Sequence, residues 1–420
     1  MRIVVLCPHF EPDTAPTGVV MTRIVGELAR HGHELHVVTS LPWYRSHRIE
    51  PEWSGRWTAT EPTTWGSVTR VHPFPGDDKT NIARRATGFA CFSALAGLAA
   101  ARAGGAFRRA DAVLAMSPPL SLGLTGWLVG VVRGAPLVFN VQDIFPDAAV
   151  RTGAIRDRRV IALAAWLERI TYRRAAAVTV LSEDLRRNVA AKAGDGRLDT
   201  VHVIPNFVDT DAIVPLPRTT RFRTELGIGD QPVVLYAGNV GLSQSLELLV
   251  EAARQMKDVT FLINGAGAAK PQLERSAAGV PNVRFAGYQP ASRLAEVLAT
   301  GDVHVVPLRA GLGDVSVPSK TYSSLAAGRP VVASIDLDSE IPRLLADAGA
   351  GIAVPPGDAG ALETALRTIL GDPARAAAMG VAGREWAERE ASPAAVGDSY
   401  DQLLRGVVAG RRRLMQRSPR

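Results

Sequence analysis

The sequence predicts an α/β chain of two doubly wound domains, each a largely parallel sheet with helices on both faces. Short β-branched runs alternate with longer helical stretches along all 420 residues, the pattern of parallel strands joined by crossover helices. A chain of this length also exceeds what one hydrophobic core usually supports. The extended, proline-rich segment Val214-Pro215-Leu216-Pro217-Arg218 is expected to join the two halves.

Twelve strands are predicted, six in each half. They lie near 2–6, 34–39, 112–116, 136–141, 177–181, 201–204, 233–237, 259–263, 283–286, 303–306, 331–334 and 351–354. Helices fit between them, for example Thr22–His31, which Gly32 ends. We therefore expect an N-terminal domain over 1–213 and a C-terminal domain over 214–395. A C-terminal helix and basic tail over 396–420 belongs to a helical stretch of about 374–413 and is expected to pack back toward the first domain.

Composition limits the function classes. The chain is 46% hydrophobic with a net charge of +7, which is typical of a globular protein. Residues 1–209 hold 25 Lys/Arg against 19 Asp/Glu, and the remainder holds 23 against 22. This asymmetry indicates an anionic surface or substrate on the N-terminal side. No basic run is interleaved with aromatic residues, which disfavours nucleic acid.

Cys7 and Cys91 both stand among apolar neighbours, so we expect free thiols rather than a disulfide or a metal site. The first residues are too short an apolar run for a signal peptide, and no window of 18 residues is apolar and uncharged throughout. The expected location is the cytoplasm, with the inner face of the plasma membrane as a further option.

The most informative segment runs from Ser316 to Ser334. A polar loop with one lysine, Lys320, precedes a short helix of small residues that ends at Gly328. Loop amides at a helix start favour an anion, and the lysine adds a full charge in a chain with five lysines against 43 arginines. We interpret this segment as a phosphate-binding loop; an ordinary surface loop is the alternative.

Three glycine-bearing loops follow neighbouring strands of the same domain: Gly238-Asn239-Val240-Gly241, Gly265-Ala266-Gly267 and Gly287-Tyr288. Glycine permits close backbone approach, and ligands of doubly wound sheets bind beyond the carboxyl ends of the strands. In the first domain, His9-Phe10-Glu11-Pro12-Asp13 with Gly18, and Gln142-Asp143-Ile144-Phe145-Pro146-Asp147, occupy equivalent positions. Asp143 and Asp147 could equally be helix caps.

Taken together, these motifs resemble the GT-B glycosyltransferases, and in particular the retaining family 4. Further matching segments are Gly32–Thr39, Ser182-Glu183-Asp184-Leu185, Val203–Asp209, Pro318-Ser319-Lys320, Ala327–Ala333 and Val354-Pro355-Pro356-Gly357-Asp358. The combination of Gln142–Asp147 with Pro318-Ser319-Lys320 resembles the aminosugar (N-acetylfucosamine-type) transferases of O-antigen, capsule and colanic-acid assembly.

This resemblance implies two Rossmann-like domains facing each other across a cleft, with a nucleotide sugar on the C-terminal domain and the acceptor on the N-terminal one. It implies catalytic roles for Lys320, Asp143 and Gln142. It implies donor binding by Gly18, Gly238, Asn239, Gly265, Gly287, Tyr288, Ser319, Lys320, Thr321, Tyr322 and Glu340. A UDP-sugar is favoured over a GDP-sugar, and no other cofactor is implied.

Three positions depart from the family pattern. The glutamate pair spaced E-x7-E is replaced by Val315 and Ser323, with Asp314 and Tyr322 as nearby substitutes. The usual basic residue after strand 233–237 is replaced around Gln244. The histidine common in the family after the strand at 136–141 is replaced here by Gln142.

No metal is expected, because helix amides and a lysine can stabilise a leaving diphosphate. The two D-x-D strings, Asp209-Thr210-Asp211 and Asp336-Leu337-Asp338, are weak metal candidates. No nucleophile is evident, which suits a front-face retaining reaction in which the leaving phosphate helps to deprotonate the acceptor.

The expected acceptor is linked to undecaprenyl diphosphate or another lipid. Residues 84–109 combine Arg84, Arg85, Arg102, Arg108 and Arg109 with an uncharged stretch carrying the stripe Phe89, Phe92, Ala96 and Ala99. Such a helix could lie in a membrane interface or simply cover the sheet.

Other functions remain open from the sequence. A nucleotide-sugar epimerase or a phosphorylase can share this fold, and a non-catalytic partner could retain nucleotide binding without the glutamate pair. A dinucleotide-dependent oxidoreductase is disfavoured, because no G-x-G-x-x-G with a following acidic residue is present.

Overall fold

The computed structural model describes residues 1–45, 47–75, 82–106, 108–144, 146–147, 150, 155, 157–194 and 196–417, without the side chains of 82–86 and 414–417. The chain divides into two compact units. Unit 1 comprises Met1–Pro205 together with Val396–Arg420, and unit 2 comprises Asn206–Ala395.

Unit 1 contains an eight-stranded sheet with the order β3-β4-β2-β1-β5-β6-β7-β8. Its strands are β1 (Arg2–Leu6), β2 (Glu34–Ser40), β3 (Thr58–Thr63), β4 (Gly66–Val71), β5 (Ala112–Ser117), β6 (Leu137–Val141), β7 (Ala177–Val180) and β8 (Val201–Val203). All neighbouring pairs are parallel except β3 with β4. Its helices are α1 (Pro16–Arg30), α2 (Ile82–Ala100), α3 (Ser121–Arg133), α4 (Arg158–Arg174), α5 (Glu183–Ala193) and the greater part of α14 (Pro393–Arg417).

Unit 2 contains a six-stranded, fully parallel sheet with the order β11-β10-β9-β12-β13-β14. Its strands are β9 (Val233–Ala237), β10 (Thr260–Asn264), β11 (Val283–Ala286), β12 (Val303–Pro307), β13 (Val331–Ser334) and β14 (Gly351–Val354). Its helices are α6 (Arg221–Glu225), α7 (Glu247–Gln255), α8 (Lys270–Ser276), α9 (Leu294–Thr300), α10 (Lys320–Ala326), α11 (Glu340–Ala348), α12 (Ala359–Leu370) and α13 (Pro373–Glu390).

The predicted α/β class with parallel sheets is confirmed, and each of the twelve predicted strands is present within a few residues of its expected bounds. The hairpin of β3 and β4 was not predicted. Most of the β3 side chains are exposed, and Pro62 stands within the strand. This is the composition of a solvent-facing edge strand, which lacks the apolar alternation that identifies buried strands.

The proline-rich segment packs on unit 2. The guanidinium of Arg329 donates hydrogen bonds to the carbonyls of Leu216 (2.8 Å) and Ala299 (2.8 Å). Gly328, in the left-handed region at φ 66°, lies against the ring of Pro215. Pro215 and Leu216 are therefore held by the residues that follow α10.

The predicted C-terminal helical stretch consists of two helices, α13 and α14. Because Pro393 cannot continue α13, the chain turns at Ser392 and α14 begins. In unit 1, Tyr400 of α14 is buried and its hydroxyl accepts a hydrogen bond from Asn140 Nδ2 at 2.6 Å. Asp401 lies 2.6 Å from His33 Nε2, so α14 completes the core of unit 1.

Helix α2 covers the sheet of unit 1 and contacts β1, β2 and β4. Phe92 and Ala96, the centre of the predicted apolar stripe, are 3% and 0% exposed. The stripe therefore packs on the sheet and does not present a membrane-binding face. Arg84 and Arg85 lie outside the side chains that the structure describes.

No helix in the described part of the chain is both long and apolar enough to cross a lipid bilayer.

Candidate functional site

The carboxyl edge of the sheet in unit 2 brings the loops after β9 and β10 into direct contact. The amide of Gly238 donates to the Asn264 carbonyl (2.9 Å), and the amide of Val240 donates to the Ala266 carbonyl (2.9 Å). The two backbones thus continue the parallel pairing of their strands beyond the sheet, which fixes the position of both loops.

Two glycines make this contact possible. A Cβ atom on Gly265 would lie 1.9 Å from the carbonyl oxygen of Gly238, a distance at which atoms overlap. Gly238 itself has φ 144°, and a Cβ there would lie 2.1 Å from Cε of Lys320. Gly238 and Gly265, both singled out from the sequence, are therefore required by close packing at this edge.

Lys320 is the first residue of α10, and its side chain lies across the backbone of Gly238. Its Nζ is 5.6 Å from the ring centroid of Tyr236, a cation–π contact. Burial lowers the pKa of the Lys320 ammonium, and among the described residues no carboxylate contributes an opposing shift. A half-buried cation of this kind favours an anionic ligand, which would restore the solvation that the lysine lacks.

A cavity of about 120 Å³ opens beside Lys320. Its walls are largely apolar, and its polar lining comes from a small set of side chains. That set is Asn264, Tyr288, Gln289, His304, Lys320, Ser323 and Ser324. The mixture of apolar walls with a few polar groups is typical of a small-molecule site.

His304, which the sequence analysis did not identify, forms the floor of this cavity and is 2% exposed. Its Nε2 is 2.9 Å from the Leu298 carbonyl oxygen and its Nδ1 is 2.7 Å from Ser324 Oγ. Because a carbonyl can only accept, Nε2 carries the proton and Nδ1 is an acceptor. Ser324 Oγ lies within hydrogen-bond distance of both Nδ1 and the Lys320 carbonyl oxygen (3.0 Å), so its single proton is shared between these two acceptors. Ser324 thus links His304 to the first turn of α10, where Lys320 begins.

Asn264 ends β10 and is 5% exposed, yet its Oδ1 has no hydrogen-bond partner within the described residues. A buried amide oxygen without a partner is costly, and this one belongs to a residue that lines the cavity. It is available to accept a hydrogen bond from a ligand hydroxyl or N–H group. Tyr288, 59% exposed, stands at the rim.

Not every predicted binding residue reaches this cavity. Thr321 and Tyr322 point into the interior of unit 2, and the Tyr322 ring stacks on Trp386 of α13 with centroids 5.9 Å apart. Ser319 is exposed at the N-terminal end of α10. Tyr322 therefore serves the core in this structure. Of the two positions in the glutamate pattern, Val315 is fully buried while Ser323 lines the cavity.

The remaining predicted loop residues lie at the same edge. Asn239 accepts a hydrogen bond from the Tyr236 hydroxyl through its carbonyl. Gly287 follows β11 and is exposed. Glu340 begins α11 and pairs with Arg343 at 3.2 Å. The helix after the first glycine loop, α7, begins at Glu247, so its first turn is acidic and does not place free amides beside Gly238.

The carboxylates of the two D-x-D strings organise loops. Asp336 accepts from the amides of Gly311 (2.9 Å) and Gly313 (3.1 Å), and Asp209 accepts from the amide of Ala212 (3.0 Å). Among the residues that the structure describes, no group of three His, Cys, Asp or Glu side chains could hold a metal ion. Metal independence remains a prediction.

In unit 1, Gly18 lies in the first turn of α1 against His9. A Cβ on Gly18 would be 2.9 Å from Cβ of His9. His9 Nδ1 in turn lies 2.7 Å from Oδ2 of Asp13, whose other oxygen accepts from the Tyr44 amide at 3.2 Å. The loop after β1 is thus a packed structure in which His9 has a fixed orientation.

Gln142 follows β6 and is 5% exposed. Its Nε2 donates to Asn140 Oδ1 at 2.8 Å, and Asn140 bonds in turn to Tyr400. Asp143 is exposed. Asp147 accepts from Lys192 Nζ at 2.8 Å rather than capping a helix among the described residues. Gln142 and Asp143 belong to unit 1 and the lysine cavity to unit 2, so their catalytic roles stay predictions.

Each unit matches the model of a known protein family. The model of the family described as "Glycosyl transferase 4-like domain" matches residues 17–206, and that described as "Glycosyl transferases group 1" matches residues 231–372. The two models together cover most of the chain.

Two curated relatives match over nearly their whole length. The Escherichia coli K12 protein WcaI, described as a colanic acid biosynthesis glycosyl transferase, is 28% identical over 93% of this chain and 96% of its own. The Pseudomonas aeruginosa glycosyltransferase WbjE is 27% identical over 88% and 89%.

Solved structures agree in fold. Sucrose-phosphate synthase from Thermosynechococcus elongatus superposes with a TM-score of 0.73 at 20% identity, covering 98% of this chain and 100% of its own. Anabaena HepE in complex with UDP gives 0.69 at 16% identity, covering 97% and 100%. The expected resemblance and fold class are confirmed by these matches.

Substitution of Gly238 tests the close approach on which the cavity depends. Gly238→Ala should destabilise the protein by about 1–3 kcal/mol through strain at positive φ and should displace Lys320, weakening anion binding. Gly229→Ala, at an exposed loop position with no contact closer than 3.7 Å, is the matched control. Thermal unfolding and calorimetric titration measure both effects; equal behaviour of the two variants would contradict the packing argument.

His304 should make stability depend on pH in the acid range. Burial lowers its pKa from 6.5 to about 4, so below pH 6.5 the unfolded chain binds the proton first and stability is lost as pH falls toward 4. The loss should approach about 3 kcal/mol.

His304→Gln cannot titrate and should lack this contribution. Denaturant unfolding of both proteins between pH 7 and pH 4 gives the difference directly. Parallel stability curves would show that the imidazole is not held neutral.

Proposed function

Because the chain belongs to the group 1 (family 4) GT-B glycosyltransferases, and is therefore a glycosyltransferase, we propose that it moves a sugar from a nucleoside diphosphate sugar to a lipid-linked acceptor with retention of configuration. The proposed context is the assembly of a cell-surface polysaccharide or glycoconjugate. The description of WcaI as a colanic acid biosynthesis glycosyl transferase supports that context.

One observation carries the donor assignment. Lys320 is half-buried, lies across Gly238 and borders a cavity with a few polar groups. In unit 2 a partly desolvated cation of this kind favours binding of an anion. A diphosphate fits, because the ammonium and the backbone of the glycine loop could both bind its oxygens. We assign the diphosphate to Lys320, Gly238 and Asn239.

The nucleoside is proposed to occupy the cavity beside this lysine. Tyr288 and Gly287 would border the base, and Asn264 and Ser323 would offer hydrogen-bonding groups to the ribose or base. Ser323 stands where relatives carry a carboxylate, so this cavity bears less negative charge than the family pattern predicts. We favour UDP. The HepE structures, which share the fold of this chain, are complexes with UDP and UDP-glucose.

The reaction breaks the bond between the anomeric carbon and the diphosphate oxygen and forms one to an acceptor hydroxyl. The negative charge that develops on the leaving diphosphate would be stabilised by Lys320, already desolvated and held in place by α10. The acceptor proton would pass to the departing phosphate on the same face, so that no protein nucleophile is needed. Gln142 and Asp143 are proposed to contact acceptor or sugar hydroxyls from unit 1.

The acceptor is proposed to be a sugar or lipid on undecaprenyl diphosphate or a similar carrier, reached at the inner face of the plasma membrane. The excess of basic residues in the first half of the chain supports an anionic acceptor side. An epimerase or phosphorylase is less favoured, since the curated relatives quoted above are transferases.

Removal of the Lys320 ammonium should weaken nucleoside diphosphate binding by about 1.5–3 kcal/mol, the range for hydrogen bonds to charged groups. Lys320→Ala is compared with Lys257→Ala, which removes the same charge from an exposed position. Lys320→Arg should restore affinity only in part, because a planar fork does not replace a compact ammonium.

Calorimetric titration with UDP and GDP, followed by transfer assays with a panel of UDP- and GDP-sugars, measures binding and activity. Unchanged affinity in Lys320→Ala would remove the diphosphate assignment. Turnover of the donor without acceptor, or dependence on inorganic phosphate, would instead indicate an epimerase or a phosphorylase.

Transfer should survive extensive treatment with EDTA, and Asp209→Asn should retain activity, because the proposed charge stabilisation uses Lys320 and backbone amides. Activity is measured by release of UDP before and after chelation, and the anomeric configuration of the product by NMR coupling constants. Loss of turnover restored by Mg²⁺ or Mn²⁺ would contradict this part of the proposal, and an inverted product would contradict retention.

A further inference from the structure

Three neighbouring helices of unit 1 expose large apolar side chains on their outer surface. Helix α3 lies between α2 and α4, and contacts both. We call this outer surface the helical face; its exposed apolar residues are Leu98 of α2, Leu128, Val131 and Val132 of α3, and Leu163 and Trp166 of α4. Each is at least half exposed, with Val131 at 62% and Trp166 at 53%. Such a cluster on one surface marks an interaction site.

The face is held rigidly from behind. Arg133, at the end of α3, is fully buried and donates hydrogen bonds to the carbonyls of Ala100 (2.9 Å) and Ala103 (2.9 Å) at the end of α2. On the other side, the guanidinium of Arg174 in α4 stacks over Trp127 of α3, 4.7 Å from the ring centroid. The three helices therefore present their exposed side chains as one fixed surface.

The charges around the face are mainly positive. The exposed carboxylate of Asp157 precedes α4 and accepts from the backbone amides of Arg159 and Val160. Helix α4 alone carries five exposed arginines, and Arg102, Arg108 and Arg109 follow the end of α2. The sequences of α2, α3 and α4 contain a single acidic residue, Glu168. That side chain is 1% exposed and is bonded to Lys192 (2.9 Å) and to Tyr172 (2.9 Å), so it contributes no negative charge to the surface.

A surface of apolar residues and arginines with few neighbouring carboxylates is suited to binding an anionic lipid bilayer. Aliphatic and tryptophan side chains enter the boundary between headgroups and acyl chains, while arginines pair with lipid phosphates. A second copy of the same face fits poorly, because it would bring two sets of arginines together with few carboxylates to pair them.

We propose that the helical face docks unit 1 onto an anionic membrane surface through α3 and α4, and this inference rests on the proposed use of a lipid-linked acceptor. The residues differ from those expected from the sequence, because the apolar stripe of α2 is buried against the sheet. Docking is peripheral: the apolar side chains reach the interface while the helices stay on its surface.

The experiment uses the full-length protein and vesicles of equal parts phosphatidylglycerol and phosphatidylcholine, with pure phosphatidylcholine as the neutral surface. Two variants alter the face: Leu128→Gln/Val131→Gln/Trp166→Gln removes apolar contacts, and Arg102→Gln/Arg159→Gln/Arg169→Gln removes charge without touching the Arg174–Trp127 contact. Flotation measures the partition coefficient, and size exclusion with light scattering measures the oligomeric state.

Matched controls carry the same changes elsewhere. Leu198→Gln/Val214→Gln/Val381→Gln alters exposed apolar residues outside the face, and Arg254→Gln/Arg275→Gln/Arg375→Gln alters exposed arginines of unit 2. The wild type and both controls should bind the anionic vesicles and should not bind the neutral ones. The charge variant should bind roughly a hundredfold more weakly, from about 1 kcal/mol for each arginine, and the apolar variant at least tenfold more weakly.

Absence of wild-type binding to anionic vesicles, or equal binding by the face variants and their controls, would overturn the inference. So would a wild-type dimer that the face variants dissociate, since the occupant would then be a second copy. Transfer to a short-chain, water-soluble acceptor and UDP binding are measured in parallel. If the protein fails to dock but still transfers sugar to the soluble acceptor and binds UDP, the proposed transferase function stands. If the wild type transfers sugar from none of the donors tested, that function is refuted, whatever the result with vesicles.

Discussion

The contact between the loops after β9 and β10 is the constraint on which the candidate site depends. It needs backbone without side chains, since Gly265 lies directly against the Gly238 carbonyl. Only then can Lys320 lie across Gly238 and remain partly shielded from water. The shielding matters because a fully hydrated lysine would gain little from a phosphate, whereas a desolvated one gains much more. Local backbone geometry in unit 2 thereby sets the electrostatics of the cavity.

His304 also contributes to the position of Lys320. Through Ser324 it is linked to the start of the helix that carries Lys320. A charged imidazole at this depth would place a further cation behind the lysine. Keeping His304 neutral avoids that repulsion.

Much of the fold could be predicted from sequence because buried parallel strands have a strong signature. Val233–Ala237 and Val331–Ser334 are continuous apolar runs between polar loops, and both were placed correctly. Strand β3 was missed since TATEPT is polar and largely exposed, and its pairing with β4 depends on a neighbour that the local sequence does not reveal.

Site residues could be predicted from the sequence where local backbone geometry decides the residue type. They could not be predicted where tertiary packing decides the direction in which a side chain points. The glycine-bearing loops could be recognised because glycine permits close backbone approach, and Lys320 because lysine is rare in this chain. Whether Tyr322 faces a ligand or Trp386 depends on the rotation of a seven-residue helix, which sequence leaves open. A single histidine in the apolar strand Val303–Pro307 gives no signal at all. The apolar residues of α2 likewise do not say which side of the helix the sheet will cover.

Unit 1 is assembled from both ends of the chain, and this has a consequence for biosynthesis. The amide of Gln142 is oriented by Asn140, which bonds to Tyr400, a partner 260 residues later in the sequence. On the ribosome, all of unit 2 is made between these two residues, so its own local contacts can form first. The polar network behind Gln142 is completed only when α14 has emerged. A nascent chain would thus acquire the structure of unit 2 before unit 1 is finished, and truncated products would lack a complete unit 1.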